Sequence, residues 1–169
     1  MLVLILILSS FFAIRQSTVT STGIIEPKGT INVANKNYHE GQVIRENRKK
    51  WLVHMDDKQE NIVHLLPIIR AKNKVNVITY FSGSKIGAIK KGQALHFQLS
   101  NANGTTDRLV GKVKEIGVYP VNVHGNNAYE VICEAKPNKD VKYGMEGNAT
   151  IITGKSTYFE YFKNKILNQ

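Results

Sequence analysis

Lys90–Lys114 reads KKGQALHFQLSNANGTTDRLVGKVK, and its alternation decides the fold class. Leu95, Phe97 and Leu99 take every second place, with His96, Gln98 and Ser100 between them. A period of two puts one set on each face of a β-strand. Asn101-Ala102-Asn103-Gly104 then has hairpin-turn composition, because Asn and Gly tolerate the positive φ that such turns need. The return strand runs through Leu109, Gly111 and Val113, with Lys112 and Lys114 turned to water, and Lys90-Lys91-Gly92-Gln93 is the turn leading in.

The pattern extends outward in both directions. Upstream, Val75, Val77 and Thr79 share one strand face and Asn76, Ile78 and Tyr80 the other, followed by a Gly- and Ser-rich link at Ser82–Ala88. Downstream, Gly125-Asn126-Asn127 joins Val118–Val123 to Tyr129–Cys133, and Gly144-Met145-Glu146-Gly147 leads into a last strand at Ala149–Thr153. Short strands at regular spacing with turns between them predict a mainly β fold, a small antiparallel β-barrel or sandwich. A chain of 169 residues, 42% hydrophobic and 21% charged, has room for one such domain with short appendages.

The N-terminal third is less regular. Met1–Ile14, MLVLILILSSFFAI, carries no charged side chain. It is short for a bilayer span, which takes about 20 apolar residues. A signal peptide would need a basic start and a small-residue cleavage site, and Ala13-Ile14-Arg15 is a poor one; a buried core segment is the structural alternative. The expectation is a membrane anchor, either whole or missing its first residues. Ser17–Thr30, rich in Ser, Thr and Gly, reads as an extended lead-in, and Ile31–Ile44 as a β-hairpin turning at Glu40-Gly41-Gln42. Arg45–Asn61 is densely charged around the apolar island Trp51-Leu52-Val53; it reads as a solvated connector, with a short strand or a helical stump as alternatives.

At the other end, Thr157 and Glu160 have the spacing of a capping box, and Tyr158, Phe159, Phe162 and Ile166 fall on one face of the helix that follows. Lys163 and Lys165 come late, where cations suit the helix dipole. Such a helix either docks on the body or lies on a membrane or partner surface.

No chemistry-bearing constellation emerges. His39, His54, His64, His96 and His124 are scattered, and His54-Met55-Asp56-Asp57 lacks a complementary ligand cluster. Cys133 sits in strand periodicity, which favours a buried inert thiol over a nucleophile; as the only cysteine it also excludes an internal disulfide and any CxxC site. The Asn-x-Thr sequences at Asn103 and Asn148 are explained by turn and strand contexts. No catalytic residue, cofactor or metal site is therefore expected, and a thiol hydrolase using Cys133 is the disfavoured enzymatic alternative. The net charge of +10 attracts anionic partners. Without a recognition helix or RNP-like segment, nucleic acid is not among them.

Taken in order, these parts resemble the HlyD-type membrane fusion (adaptor) proteins of ABC exporters, closest to accessory proteins of bacteriocin exporters. Thr22-Gly23-Ile24-Ile25-Glu26-Pro27 resembles the segment after the anchor, Asn37–Ile44 (NYHEGQVI) the first half of the lipoyl-like domain, and Glu60–Leu65 (ENIVHL) the start of its second half. Val75–Leu99, with Ile86–Gln93 (IGAIKKGQ), resembles the adaptor barrel, and Tyr143–Lys155 (YGMEGNATIITGK) its closing strand. The long coiled-coil hairpin between the lipoyl halves is missing, with only Arg45–Asn61 in its place.

The resemblance implies a division into a membrane anchor (1–15), an extended lead-in with a remnant lipoyl-like half (16–61), the adaptor β-barrel (62–155) and a C-terminal amphipathic helix (156–169). It further implies a non-enzymatic protein of the cell membrane, single-pass, with its β-domain on the extracytoplasmic side. Its partners would be a peptide- or bacteriocin-exporting ABC transporter, the membrane and, as family members usually assemble, further copies of itself. A stand-alone anchored β-module binding anionic wall polymer or lipid is the alternative.

Overall fold

A computed structural model describes residues 11–167 except 35, 56–60, 71, 101–105, 124 and 139. The strands are β1 (Ile14–Glu26), β2 (Ile31–Ala34), β3 (Val43–Glu46), β4 (Lys49–Met55), β5 (Ile62–Pro67), β6 (Val75–Ser82), β7 (Ala94–Ser100), β8 (Thr106–Val123), β9 (Asn126–Ala135) and β10 (Glu146–Thr157). The short helices α1 (Gly83–Ile86) and α2 (Tyr158–Leu167) accompany them. The mainly β expectation holds.

Six strands pair antiparallel in the order β1-β10-β7-β8-β9-β6, and β6 pairs back to β1, so this sheet closes on itself. Its interior is filled by alternate residues: Val75, Val77, Thr79 and Phe81 of β6 are buried while Asn76, Ile78 and Tyr80 between them are half-exposed. Leu95, Phe97 and Leu99 of β7 and Leu109 and Val113 of β8 complete the same core. Thr79 is a buried polar side chain, and its hydroxyl donates to the Thr22 carbonyl at 2.8 Å, so burial leaves it no unmet hydrogen bond. Two glycines allow close strand approach: a Cβ on Gly147 would overlap the Gln98 carbonyl, and one on Gly111 the Glu134 carbonyl.

A second sheet, β2-β5-β4-β3, sits between β1 and β6 in the chain. Its own small core is Trp51, Val53, Val63 and Leu65, with Ile31, Val33, Tyr38, Ile44 and Met55 packed around.

Several expectations are corrected. The lead-in Ser17–Thr30 is instead mostly barrel strand: β1 pairs with β10 from Ile14↔Thr157 to Ile24↔Glu146, and Ile25 is fully buried. Without it, β6 and β10 would each present an unpaired edge. The Ile31–Ile44 hairpin does not form. β2 pairs with β5 and β3 with β4, because the apolar faces of β4 and β5 offer β2 and β3 opposite edges to join. The charged Arg45–Asn61 stretch carries a hairpin and not a connector, turning at Asn47 (φ 51°) and Arg48 (φ 62°). β5 belongs to the small sheet, so the barrel does not begin at residue 62. The Ser82–Ala88 link includes α1.

Of the expected anchor (1–15), residues 1–10 lie outside the described residues and Ile14 and Arg15 belong to β1; the Asn101–Gly104 turn also lies outside, although Ser100↔Thr106 pairing makes β7 and β8 neighbours as expected. Among the described residues no helix is long and apolar enough to cross a membrane.

Candidate interaction surfaces

Four places stand out on the fold, three of them built from residues singled out by the sequence. The first is the histidine pair. His54 and His64 face each other across β4 and β5, with ring centroids 6.4 Å apart. His54 Nδ1 lies 3.0 Å from Glu40 Oε1, and His64 Nδ1 lies 2.8 Å from Asn32 Oδ1. Burial opposes the charge on Glu40, but hydrogen bonds from His54 and from the Met55 backbone amide outweigh it and hold the carboxyl below its usual value. These contacts latch the Glu40-Gly41-Gln42 turn onto β4: Gly41 N–H donates to the Val53 carbonyl, and Val53 N–H to that of Gln42. Among the described residues no three His, Cys, Asp or Glu side chains converge as a metal site. His96 lies elsewhere, accepting from Arg108, and its pKa is lowered by burial and by that guanidinium; His124, Asp56 and Asp57 are outside the described residues.

Cys133 is fully buried in the barrel core, and burial pushes its thiol up to about 12. A thiolate is thus negligible at neutral pH, which removes the nucleophile a thiol hydrolase would need.

A third feature had no signal in the sequence. Glu134, on the outer face of β9, meets Lys28 at 2.5 Å and Lys74 at 2.9 Å, with Lys114 of β8 at 3.9 Å. Hydrogen bonds from Lys28 and Lys74 bring its carboxyl down to about 2. Lys28 follows β1 and Lys74 precedes β6, so both chain crossings between barrel and small sheet are tied to one carboxylate. Tyr143 adds a neutral tie, its hydroxyl donating to the Pro67 carbonyl at 2.8 Å.

The fourth is the end of the barrel where α2 begins. The capping box forms as expected: Glu160 N–H donates to Thr157 Oγ1 at 3.1 Å, and Thr157 N–H to Glu160 Oε2 at 3.0 Å. Phe11 stacks on Phe159 at 3.9 Å between centroids, Arg15 lies 3.8 Å over the Tyr161 ring, and Tyr158 N–H donates to the Ala13 carbonyl. Among the described residues of the helix none is buried. Phe162, Ile166 and Leu167 are 54%, 71% and 68% exposed, an apolar surface left in the open.

Residues 71–156, half of the chain and almost all of the barrel after β1, match the family described as LcnD-like, C-terminal domain. The chain belongs to this family. Over 168 residues it is 79% identical to the uncharacterized protein LBA1794 of Lactobacillus acidophilus, covering 99% of this chain and 86% of that one. It is 31% identical over 112 residues to a protein named lactococcin A secretion protein LcnD-like, from Lactococcus lactis subsp. lactis. That match covers 64% of this chain and 24% of the relative, so the chain spans about a quarter of the secretion protein's length.

Among solved structures, the membrane fusion protein Spr0693 of Streptococcus pneumoniae R6 superposes with a TM-score of 0.59 at 11% identity, covering 79% of this chain and 98% of that one. This member of the LcnD-like family therefore has a membrane fusion protein fold, and its kinship is with secretion accessory proteins, not with enzymes. The coiled-coil hairpin is absent from the place expected for it, since β4 and β5 are separated only by residues 56–61.

Proposed function

We propose that this chain is a membrane-anchored, non-enzymatic adaptor that works with an ABC exporter in the secretion of a bacteriocin or another small peptide. One observation carries the reading: the barrel region matches the C-terminal domain family of proteins named for bacteriocin secretion. Residues 1–13, the expected anchor less Ile14 and Arg15, which lie in β1, serve as a single-pass anchor in the cell membrane, with the β-body on the extracytoplasmic side and the C-terminal helix beside the anchor. The barrel then comprises β1 and β6–β10, and β2–β5 form a reduced lipoyl-like module on its far side. An adaptor acts by contact, so the energy for export comes from the transporter's ATP hydrolysis. Self-association, usual for such adaptors, would here have to use the barrel or the small sheet.

The test is a cross-linked pull-down of the C-terminally tagged protein from native membranes, washed at low and at high salt. Recovery of a multispanning ABC transporter that survives high salt is the expected result, because packed interfaces resist the screening that weakens exposed charge contacts. Recovery of anionic polymer or lipid alone, and only at low salt, would favour the stand-alone module that the net charge of +10 permits.

A further inference from the structure

The exposed apolar residues are not spread evenly. Of the fourteen large hydrophobic side chains that are exposed among the described residues, only Val43, Ile62 and Val110 lie away from one end of the barrel. Part of the remainder is the α2 surface with Phe11, Phe12 and Ile14. The rest is in the β8–β9 hairpin, where Val118 and Tyr119 are 83% and 82% exposed and Val121 is 42% exposed.

Strand polarity puts both groups at the same end. β1 enters the ring there and β10 leaves it there for α2; β6 also ends there, and β8 turns there into β9. The small sheet hangs from the opposite end, between Glu26 and Val75. β1 and β8 stand three places apart in the ring of six, so the two apolar groups are on opposite sides of it.

Their heights also agree. Paired residues lead from Val121 to Ala128 and Ser82, then, by continuing the β6–β1 register, to Thr20, Thr150 and His96, and back to β8 at Val110, eleven residues before the start. Three of those eleven are extra residues in the β8 bulges, so the closed sheet tilts by a stagger of about eight, little more than one residue per strand. Three strands on from Val121, the level point on β1 therefore falls at its Ile14–Gln16 end, where α2 and Phe11 sit.

The hairpin has the composition of an interfacial wedge. Ile116–Tyr129, IGVYPVNVHGNNAY, contains no Asp, Glu, Lys or Arg in a chain that is 21% charged. Register shifts between Val113 and Glu115 and between Ile116 and Pro120 bulge β8 just where Val118 and Tyr119 project. Around the same end, Lys85, Lys90, Lys91, Lys155, Lys163 and Lys165 are exposed, complementary to anionic headgroups.

From this geometry we infer that the barrel rests end-on against an anionic lipid bilayer through two contacts on opposite sides of one rim: the α2–Phe11–Phe12 surface and the Val118–Val121 bulge of the β8–β9 hairpin. The inference rests on the anchored reading above and adds to it a second, anchor-independent lipid contact that fixes the barrel upright and points the small sheet away from the membrane.

The experiment uses the full chain carrying Tyr119→Trp, reconstituted in phosphatidylcholine/phosphatidylglycerol vesicles, with and without brominated acyl chains. Trp51, the one native tryptophan, is buried in the small sheet at the far end and serves as the internal reference. The expected result is blue-shifted emission from the introduced indole, quenched by the brominated chains while Trp51 emission is unchanged, and the same behaviour with Val118→Trp. Vesicles that carry the protein but leave the introduced indole unquenched and open to iodide would overturn the hairpin contact and leave the anchor standing. Protein that does not float with vesicles at all would overturn both. Shielding of the introduced indole that arises only in native membranes, not in pure lipid, would assign the hairpin to a protein partner and equally overturn the inference.

Discussion

Phe11 stacks on Phe159 with ring centroids 3.9 Å apart and planes inclined by 23°. The end of the N-terminal apolar run and the C-terminal helix thus form one surface, though they stand at opposite ends of the sequence. Neither ring is buried by the contact, Phe11 being 43% and Phe159 38% exposed. Such a pair is worth about 0.5–1.5 kcal/mol beyond burial, enough to orient a helix but not to hold it against the barrel.

The helix should therefore depend on its cap. Thr157→Ala removes the side-chain acceptor for Glu160 N–H and is expected to cost about 1 kcal/mol of helix stability. Amide exchange should show α2 losing protection while β6 and β9 keep theirs, because no α2 residue is part of the core. Equal loss in the barrel would mean the helix is packed more firmly than the geometry indicates.

Glu134 should make stability depend on pH. Its carboxyl, at about 2 when folded, lies below the ordinary 4.5, so its contribution is complete above pH 4.5 and is lost as pH falls toward 2. Since the partner lysines are about half exposed, screening reduces the gain to about 1 kcal/mol. Urea titrations at pH 7 and at pH 3 should show Glu134→Gln less stable than the parent at pH 7, with the gap narrowing at pH 3. A constant gap would exclude the ion pairs as its source.

Strand approach at Gly147 leaves no room for a methyl group against the Gln98 carbonyl. Gly147→Ala is expected to destabilise the barrel by about 1–3 kcal/mol, since backbone and not a movable side chain must yield. Gly154→Ala in the same strand, whose nearest neighbour would be Ser17 Cβ at 3.9 Å, should stay within about 0.5 kcal/mol of the parent. Thermal unfolding of the two variants side by side measures the difference.

The β3–β4 turn holds Arg48 at a φ of 62°, a left-handed conformation that side chains disfavour. With Asn47 also at positive φ, the turn wants Gly in the second place. Arg48→Gly should stabilise the small sheet by about 0.5–1 kcal/mol, read from the urea midpoint of Trp51 fluorescence. An unchanged or lower midpoint would mean that Arg48 makes a compensating contact.

What the sequence determined by itself was local. Period-two alternation located β6 and β7, and the Thr157–Glu160 spacing foretold a cap whose two hydrogen bonds both form. The buried inert Cys133 followed from its strand setting. In each case the determining interactions span a few residues, so side-chain pattern and backbone hydrogen bonding point to one answer.

Only the tertiary structure decided which strands pair, because a strand's partner is chosen by distant edges and faces. β1, thin in large apolar residues, looked like a tether until β6 and β10 claimed it, and β2 passed over β3 for β5. The His54–His64 pair and the three lysines around Glu134 likewise exist only because register brings remote positions into line. The shared rim of α2 and the β8–β9 hairpin is the furthest case: its two halves are far apart in sequence, and only closure of the sheet sets them level.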